Sequence, residues 1–238
     1  MKYFSVVLSV SFKTIIFLTV VRSDDELALD FAPCNENNLD ECFKDIMQNQ
    51  LIANKDGSEI LGIPPLDPLE IQKQRVDYNG QNGIEVGMLL ENVKIHGLCE
   101  SKIKNVQTSL DEIGLNVTSD VYTPKLQVTG NYKANIKMND LKIRPKGEFN
   151  IIINDADNVQ TVISEFDILN NTKILNIKNI TMDANVGQII FNATGIFPDP
   201  ALNEFAVQLI NRNLPNFYKL IIQESQFIWE PLIINASN

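Results

Sequence analysis

Between Arg75 and Phe197 the apolar residues recur mostly at every second position. Ile84, Val86 and Met88 alternate with polar neighbours, as do Val93 and Ile95, and Phe149, Ile151 and Ile153 mark one face of a further segment. Val117, Val121, Leu126, Val128, Ile136 and Met138 fall in short runs interrupted by Pro124 and Gly130. Val162, Phe166, Ile168, Ile174, Ile177, Ile180, Ile189 and Phe191 continue the pattern. A period of two is the strand period, because successive side chains leave a pleated backbone on opposite faces. The turns use Asn, Asp and Gly, and no helix-length segment separates most of the strands, so they are expected to pair antiparallel. The interval from Ser101 to Ile113 stays open between strand and helix, since Ile103, Val106 and Leu110 also fit helical spacing.

The two ends of the chain carry the other period. Leu39, Phe43, Ile46, Met47 and Leu51 predict a helix from Leu39 to about Asn54, capped by Asn37 or Asn38 and stopped at Asp56-Gly57. After Pro198 and Pro200, Leu202, Phe205, Leu209, Phe217, Leu220, Ile221, Ile228 and Trp229 predict a long C-terminal helix. From Leu202 to Glu230 it would run about 43 Å at 1.5 Å per residue, with Pro215 expected to kink or split it. A helix of that length with a broad apolar face needs an extended partner, and a strongly curved antiparallel sheet is the economical one. The fold class is therefore α+β. Between the first helix and the first strand stands LGIPPLDPLEI, Leu61 to Ile71, in which Pro64, Pro65 and Pro68 oppose both helix and central strand while the aliphatics ask for burial.

Composition narrows the function. The chain has 238 residues and a formal charge of −10. Such a balance repels phosphate backbones and anionic headgroups, which argues against nucleic acid and electrostatic membrane docking. Lys2 precedes the apolar run TIIFLTVV, Thr14 to Val21, which is too short to span a bilayer. Val21 and Ser23 suit the −3 and −1 positions of signal peptidase, so residues 1–23 read as a signal peptide cleaved before Asp24, the alternative being an uncleaved anchor. Cleavage would leave 17 basic against 30 acidic residues. N-glycosylation sequons begin at Asn116, Asn170, Asn179, Asn192 and Asn235 and agree with a secreted, extracellular protein. Cys34 and Cys42 enclose a short loop and are expected to pair in an oxidising compartment, stabilising by roughly 2–3 kcal/mol. Cys99 is left over and reads as a small apolar residue in place of a reactive thiol.

Catalytic machinery is not evident. His96 is the only histidine and falls on the polar side of VKIHGL. The sequence holds no G-x-S-x-G elbow, H-E-x-x-H helix, phosphate-cradling glycine loop or C-x-x-C pair. Asp155 and Asp157 in NDADN lack the glycine and final glutamate of a calcium loop and read as a strand-to-strand turn. No metal or cofactor is expected, and the chain does not read as an enzyme.

Three stretches resemble one known family. CNENNLDEC ahead of a helix, followed by GSEILGIPPLDPLEI, is similar to the start of the insect takeout and juvenile hormone-binding protein family. GNYKANIKMNDLKI, continuing to Gly147, resembles its central strand pair, and LNEFAVQLINRNLP resembles the opening of its long helix, with Leu202, Ile210, Asn211 and Asn213 in matching places. The chain departs from the pattern at Ile136 and Pro145, where glycine is usual, at Lys142, where proline is, and at Leu214, where an aromatic is. It resembles a divergent takeout-like member, with residues 24–238 forming a single domain.

The resemblance implies a curved antiparallel sheet wrapped around the long helix, with an elongated hydrophobic tunnel between them for a lipid-like ligand. Juvenile hormone, another terpenoid or a fatty acid would suit such a tunnel, without stable membrane insertion. The alternative is a glycosylated extracellular interaction protein that meets a receptor or carrier protein and holds no ligand. Tyr132 is the expected polar group of the tunnel, or else a surface tyrosine. Val128, Phe149, Ile151 and Ile153 from strands, with Phe205, Leu209, Phe217, Ile221 and Trp229 from the helix, are its expected walls, or else plain core. The proline-rich segment is then either a stiff strap over one end of the core or a packed loop.

Overall fold

The computed structural model describes residues 6–11, 15–20, 34–58, 64–79, 84–169, 172–215 and 218. The apolar N-terminal run forms a hairpin of β1 (Val6–Ser11) and β2 (Ile15–Val20), a two-stranded sheet separate from the main one. Cys34 and Cys42 form a disulfide with Cα atoms 5.7 Å apart. It ties the incoming chain to the first turn of α1 (Leu39–Ala53). The cap differs from expectation. A 3-10 turn, Glu36–Asn38, leads into the helix, and Asn35 caps it by accepting from the Asn37 N–H at 3.0 Å. Asn38 makes no side-chain capping bond.

Asp40 reaches across to the sheet, where one carboxylate oxygen accepts from the Thr108 hydroxyl at 2.6 Å and the Thr108 N–H at 2.7 Å. The hydroxyl bond first, then the backbone bond, hold its carboxyl below the usual range of 3.8. A carboxyl depressed in the folded state adds stability at neutral pH and loses it as the pH falls below 3.8 toward the folded value. In Asp40→Asn the urea midpoint is expected to fall less between about pH 5 and about pH 3 than in the parent, measured as parallel unfolding series.

The main sheet contains β3 (Leu69–Asn79), β4 (Ile84–His96), β5 (Lys102–Leu110), β6 (Gly114–Met138), β7 (Leu141–Ile143), β8 (Lys146–Leu169) and β9 (Thr172–Ala193). Its order is β3-β4-β6-β8-β9, every pair antiparallel, with β5 and β7 also on β6. The interval left open between strand and helix is thus a strand. β4 and β5 lie end to end along one side of β6, pairing with its second and first halves. Between them Gly97 turns the chain at φ 93°, and a Cβ there would stand 2.1 Å from the Lys125 carbonyl oxygen, so only glycine fits.

Pro124 and Gly130 do not cut the strand as expected; β6 runs 25 residues through both. Thr123 pairs with Ala156 and Lys125 with Asn154, leaving Pro124 opposite Asp155 without a bridge. On its other side β6 pairs with β5 only as far as Tyr122 and with β4 only from Gln127 onward. A missing N–H therefore costs no ladder bond here. Asp155 and Asp157 are not in a turn either. They lie inside the 24-residue β8, where Asp155 adopts φ 54°.

At this line the buried positions change parity. On β6 they are odd at Leu115, Val117, Ser119 and Thr123 but even at Tyr132, and on β8 even at Ala156, Val162 and Ser164 but odd at Phe149. The pairing register is unchanged across it. The same strands thus feed two apolar clusters. One gathers Phe43, Ile46 and Met47 of α1 with Ile103, Val106, Val117, Val162, Ile177 and Ile180, and the other centres on Leu69, Val93, Ile95, Tyr132, Phe149 and Ala193.

The C-terminal helix, α2, spans residues 200–215, and residue 218 is also helical. Asp199 caps it by accepting from the Leu202 N–H at 2.9 Å, with Pro200 at the first helical position, where the missing N–H is harmless. Both helices meet the sheet through side-chain amides that stand in for an absent strand. Gln48 of α1 accepts from Ile103 N–H at 2.9 Å and donates to Ser101 C=O at 3.1 Å. Asn211 of α2 accepts from Phe191 N–H and donates to Phe191 C=O, both at 2.7 Å. Asn203 accepts from Ile196 N–H and donates to Ala193 C=O, both at 2.9 Å. The outer strands β5 and β9 are thereby occupied, which blunts the pairing hazard of an open edge.

The proline-rich segment is described from Pro64 onward, so Leu61 and Ile63 lie outside the described residues. Leu66 is 1% exposed, and its N–H bonds to the Asn54 and Lys55 carbonyls just past the end of α1. The Asp67–Pro68 peptide is cis. Asp67 accepts from Gly97 N–H at 3.0 Å and lies 3.5 Å from His96 Nδ1, which fastens the segment to the end of β4.

Candidate ligand-binding face

The sheet register builds a continuous apolar face from single residues on every strand. Leu69 pairs with Ile95, Ile95 with Val128, Val128 with Ile151, and Ile151 with Phe191. Directly paired residues share a face, so this is one apolar row across five strands. A neighbouring row runs from Ile71 and Val93 past Gly130 to Phe149 and Ala193, and another holds Leu126, Ile153 and Ile189. The structure thus brings Tyr132, Val128, Phe149, Ile151 and Ile153 to one face. Sequence reasoning missed Leu69, Leu90, Val93, Ile95, Phe191 and Ala193, which complete it.

A bulge keeps β4 in phase with this face. Glu91 pairs with Asn131 and Lys94 with Thr129, so Asn92 and Val93 together oppose Gly130. Asn92 takes φ 52°, and Leu90 and Val93 both point inward as a result. Gly130 also makes room for an aromatic ring, since a Cβ there would lie 3.0 Å from the Phe149 ring. Val128, Ile151, Ile153 and Phe191 remain only half-buried, which leaves apolar area for a ligand to cover.

Tyr132 stands at the border of the face, 8% exposed. Its hydroxyl donates to the Thr194 carbonyl at 2.9 Å, and burial pushes its phenol up from the ordinary value. The donor is thus committed to the chain, while the oxygen keeps acceptor capacity.

Two expected wall residues fall elsewhere. Phe205 is 63% and Leu209 49% exposed, on the outward side of α2 together with Leu202. The physical reason is the amide docking. Asn203 and Asn211, eight residues apart, must face β9 to make their bonds, and that rotation turns Phe205 and Leu209 to solvent. Phe217, Ile221 and Trp229 lie outside the described residues.

Among the described residues no three His, Cys, Asp or Glu side chains are placed to hold a metal ion. Cys99 is a free, half-buried cysteine. Burial, reinforced by the charge of Asp67, pushes its thiol up to about 11. Alkylation of Cys99 in the folded protein is therefore expected to be slow at neutral pH and to accelerate only as the pH nears 11, read by mass spectrometry of timed iodoacetamide reactions.

The opposite side of this end of the sheet is polar. Lys94 pairs with Thr129, Thr129 with Asn150, and Asn150 with Asn192. With Asn131 and Glu148, and with Gly130, Phe149, Ala193 and Val207 adding apolar surface, they line an open groove of about 730 Å³ beside Asn203 and Glu204 of α2. Of the other sequons, Asn116 and Asn179 flank Ile163 in a single cross-strand row, whereas Asn170 and Asn235 lie outside the described residues.

The chain resembles known proteins in fold and in sequence. The crystal structure of Epiphyas postvittana Takeout 1 matches with a TM-score of 0.60 and 20% sequence identity, over 78% of this chain and 82% of that one. Its likeness shows the fold, a curved antiparallel sheet wrapped around a C-terminal helix. A lipopolysaccharide binding protein aligns at a TM-score of 0.31 and 13% identity, over 77% of this chain and 36% of that one, too distant to bear on the argument. No curated protein sequence matches. The model of the haemolymph juvenile hormone binding protein family matches residues 12–238, nearly the whole chain. The chain belongs to the haemolymph juvenile hormone binding protein family.

Proposed function

We propose that the chain is a secreted carrier that reversibly holds one small hydrophobic molecule, a terpenoid of the juvenile hormone type or a fatty acid. The ligand lies in an elongated tunnel along the apolar face of the sheet. The observation that carries this reading is the five-strand row Leu69–Ile95–Val128–Ile151–Phe191, apolar throughout yet half-buried at its centre. A filled core would bury those residues fully, and a solvated sheet face would alternate them with polar ones. Family membership supports the same ligand class.

The magnitudes are adequate. A ligand presenting about 400 Å² of apolar surface gains roughly 10 kcal/mol gross at about 25 cal/mol per Å². Lost translational freedom and ordering consume a good part of it, which leaves micromolar to nanomolar affinity without a charged contact. The test is titration of the full chain with a fluorescent fatty acid, followed by displacement with a terpenoid ester. Saturable one-to-one uptake, displaced competitively, supports the carrier. Linear, non-saturating uptake overturns it.

A second reading has one observation in its favour. Leu202, Phe205 and Leu209 form an outward apolar stripe on α2, as a protein-docking helix would. Under that reading the chain meets a receptor or carrier protein and the apolar face is ordinary core.

A further inference from the structure

We propose that Asn192 carries an N-linked glycan whose first sugars lie in the open groove beside α2, so that this groove is a carbohydrate cradle. The inference rests on the secreted reading above and adds to it a modification with a defined resting place.

Asn192-Ala193-Thr194 is a sequon at the end of β9. Alternation on the strand puts Asn192 and Thr194 on one face, opposite the ligand-facing Phe191 and Ala193. Asn192 is exposed and is itself a lining residue of the groove. A sugar joined to its amide therefore begins inside the groove. The lining suits it. Thr129, Asn131 and Asn150 present amides and a hydroxyl, which pair with sugar hydroxyls and an N-acetyl group as both donors and acceptors. Asn150 lies directly opposite Asn192, and Gln127 orders its amide by donating to Asn150 Oδ1 at 3.2 Å. Among the described residues of the lining the one lysine, Lys94, is paired with Glu70 at 2.8 Å, so the groove favours an uncharged polyhydroxy guest over an anion.

Thr194 is bound into the fold: its hydroxyl accepts from Glu148 N–H at 3.0 Å and its carbonyl from Tyr132. The transfer accordingly precedes closure of β9 onto β8. In that step Asn192 Nδ2 bonds to the anomeric carbon of a lipid-pyrophosphate-linked oligosaccharide. The carbon–oxygen bond to the donor breaks, the lipid pyrophosphate leaves with the bonding pair, and one amide proton passes to a base of the transferase.

The experiment expresses the full chain in a secretory eukaryotic host and follows each glycan by mass spectrometry during treatment with an N-glycosidase, native and denatured. Asn192 is expected to be occupied, and its glycan to leave the native protein about tenfold more slowly than that of exposed Asn116, equivalent to ~1.4 kcal/mol of groove contact. The difference should vanish on denaturation and in Asn131→Ala/Asn150→Ala. An unmodified Asn192 in secreted protein, or equal native release at the two sites, overturns the proposal. Fatty acid titration of the same preparation reports separately on the carrier reading.

Discussion

Asn211→Ala is expected to lower the stability of the fold by about 3 kcal/mol, because it leaves both an N–H and a C=O of Phe191 without partners in a half-buried setting. Each orphaned group costs about 1–3 kcal/mol, whereas an exposed asparagine removed elsewhere on the helix costs a few tenths. Urea unfolding of the full chain reads the difference as a shift in midpoint at constant slope. The second consequence is an open strand. Without Asn211, β9 presents an unpaired backbone edge, so the variant is also expected to associate at concentrations where the parent stays dispersed. Asn211→Asp should be damaged nearly as much, since a carboxylate accepts from the N–H but repels the carbonyl. A loss under about 0.5 kcal/mol would mean that α2 is held by its apolar residues instead.

Ile151→Asp is expected to weaken ligand binding about 100-fold. Ile151 stands next to the central Val128 in the five-strand row and is half-buried, and a carboxylate there must lose water whenever the ligand covers it. Ile151→Thr keeps the branched side chain that suits a strand and removes only part of the apolar area, with about a tenfold loss expected. Circular dichroism melts separate lost affinity from lost fold. Phe205→Asp is the contrasting variant. Phe205 points away from the face, so affinity should be unchanged, and a large loss of ligand binding there would place the site on the wrong side of α2.

The strands and α1 could be read from periodicity because burial imposed it directly. Even the phase slips were visible: Ile84, Val86 and Met88 fall on even positions while Val93 and Ile95 fall on odd ones, and the bulge at Asn92 and Val93 is what reconciles them. Pro124 and Gly130 misled because a proline normally ends pairing, and only the coordinated gap opposite Asp155 removes that cost. No local pattern announces a gap shared by two strands distant in sequence. The outward rotation of α2 was concealed for a related reason. Hydrophobic spacing selected Leu202, Phe205 and Leu209 as the inward stripe, yet two asparagine amides eight residues apart decide the orientation. That spacing, Asn203 and Asn211 on one helical face, was the available signal, and hydrophobic periodicity gives polar residues no weight. On the sheet the wall residues shared a face because alternation within a strand is local, while the partners that complete each row depended on register.

The carrier account is tested most directly by what leaves the protein on extraction. Purified in native form and then extracted with organic solvent, the chain should release close to one apolar molecule per polypeptide by mass spectrometry, and Ile151→Asp should release far less. An empty extract from protein that also takes up no added terpenoid or fatty acid would contradict the account and leave the interaction reading in its place.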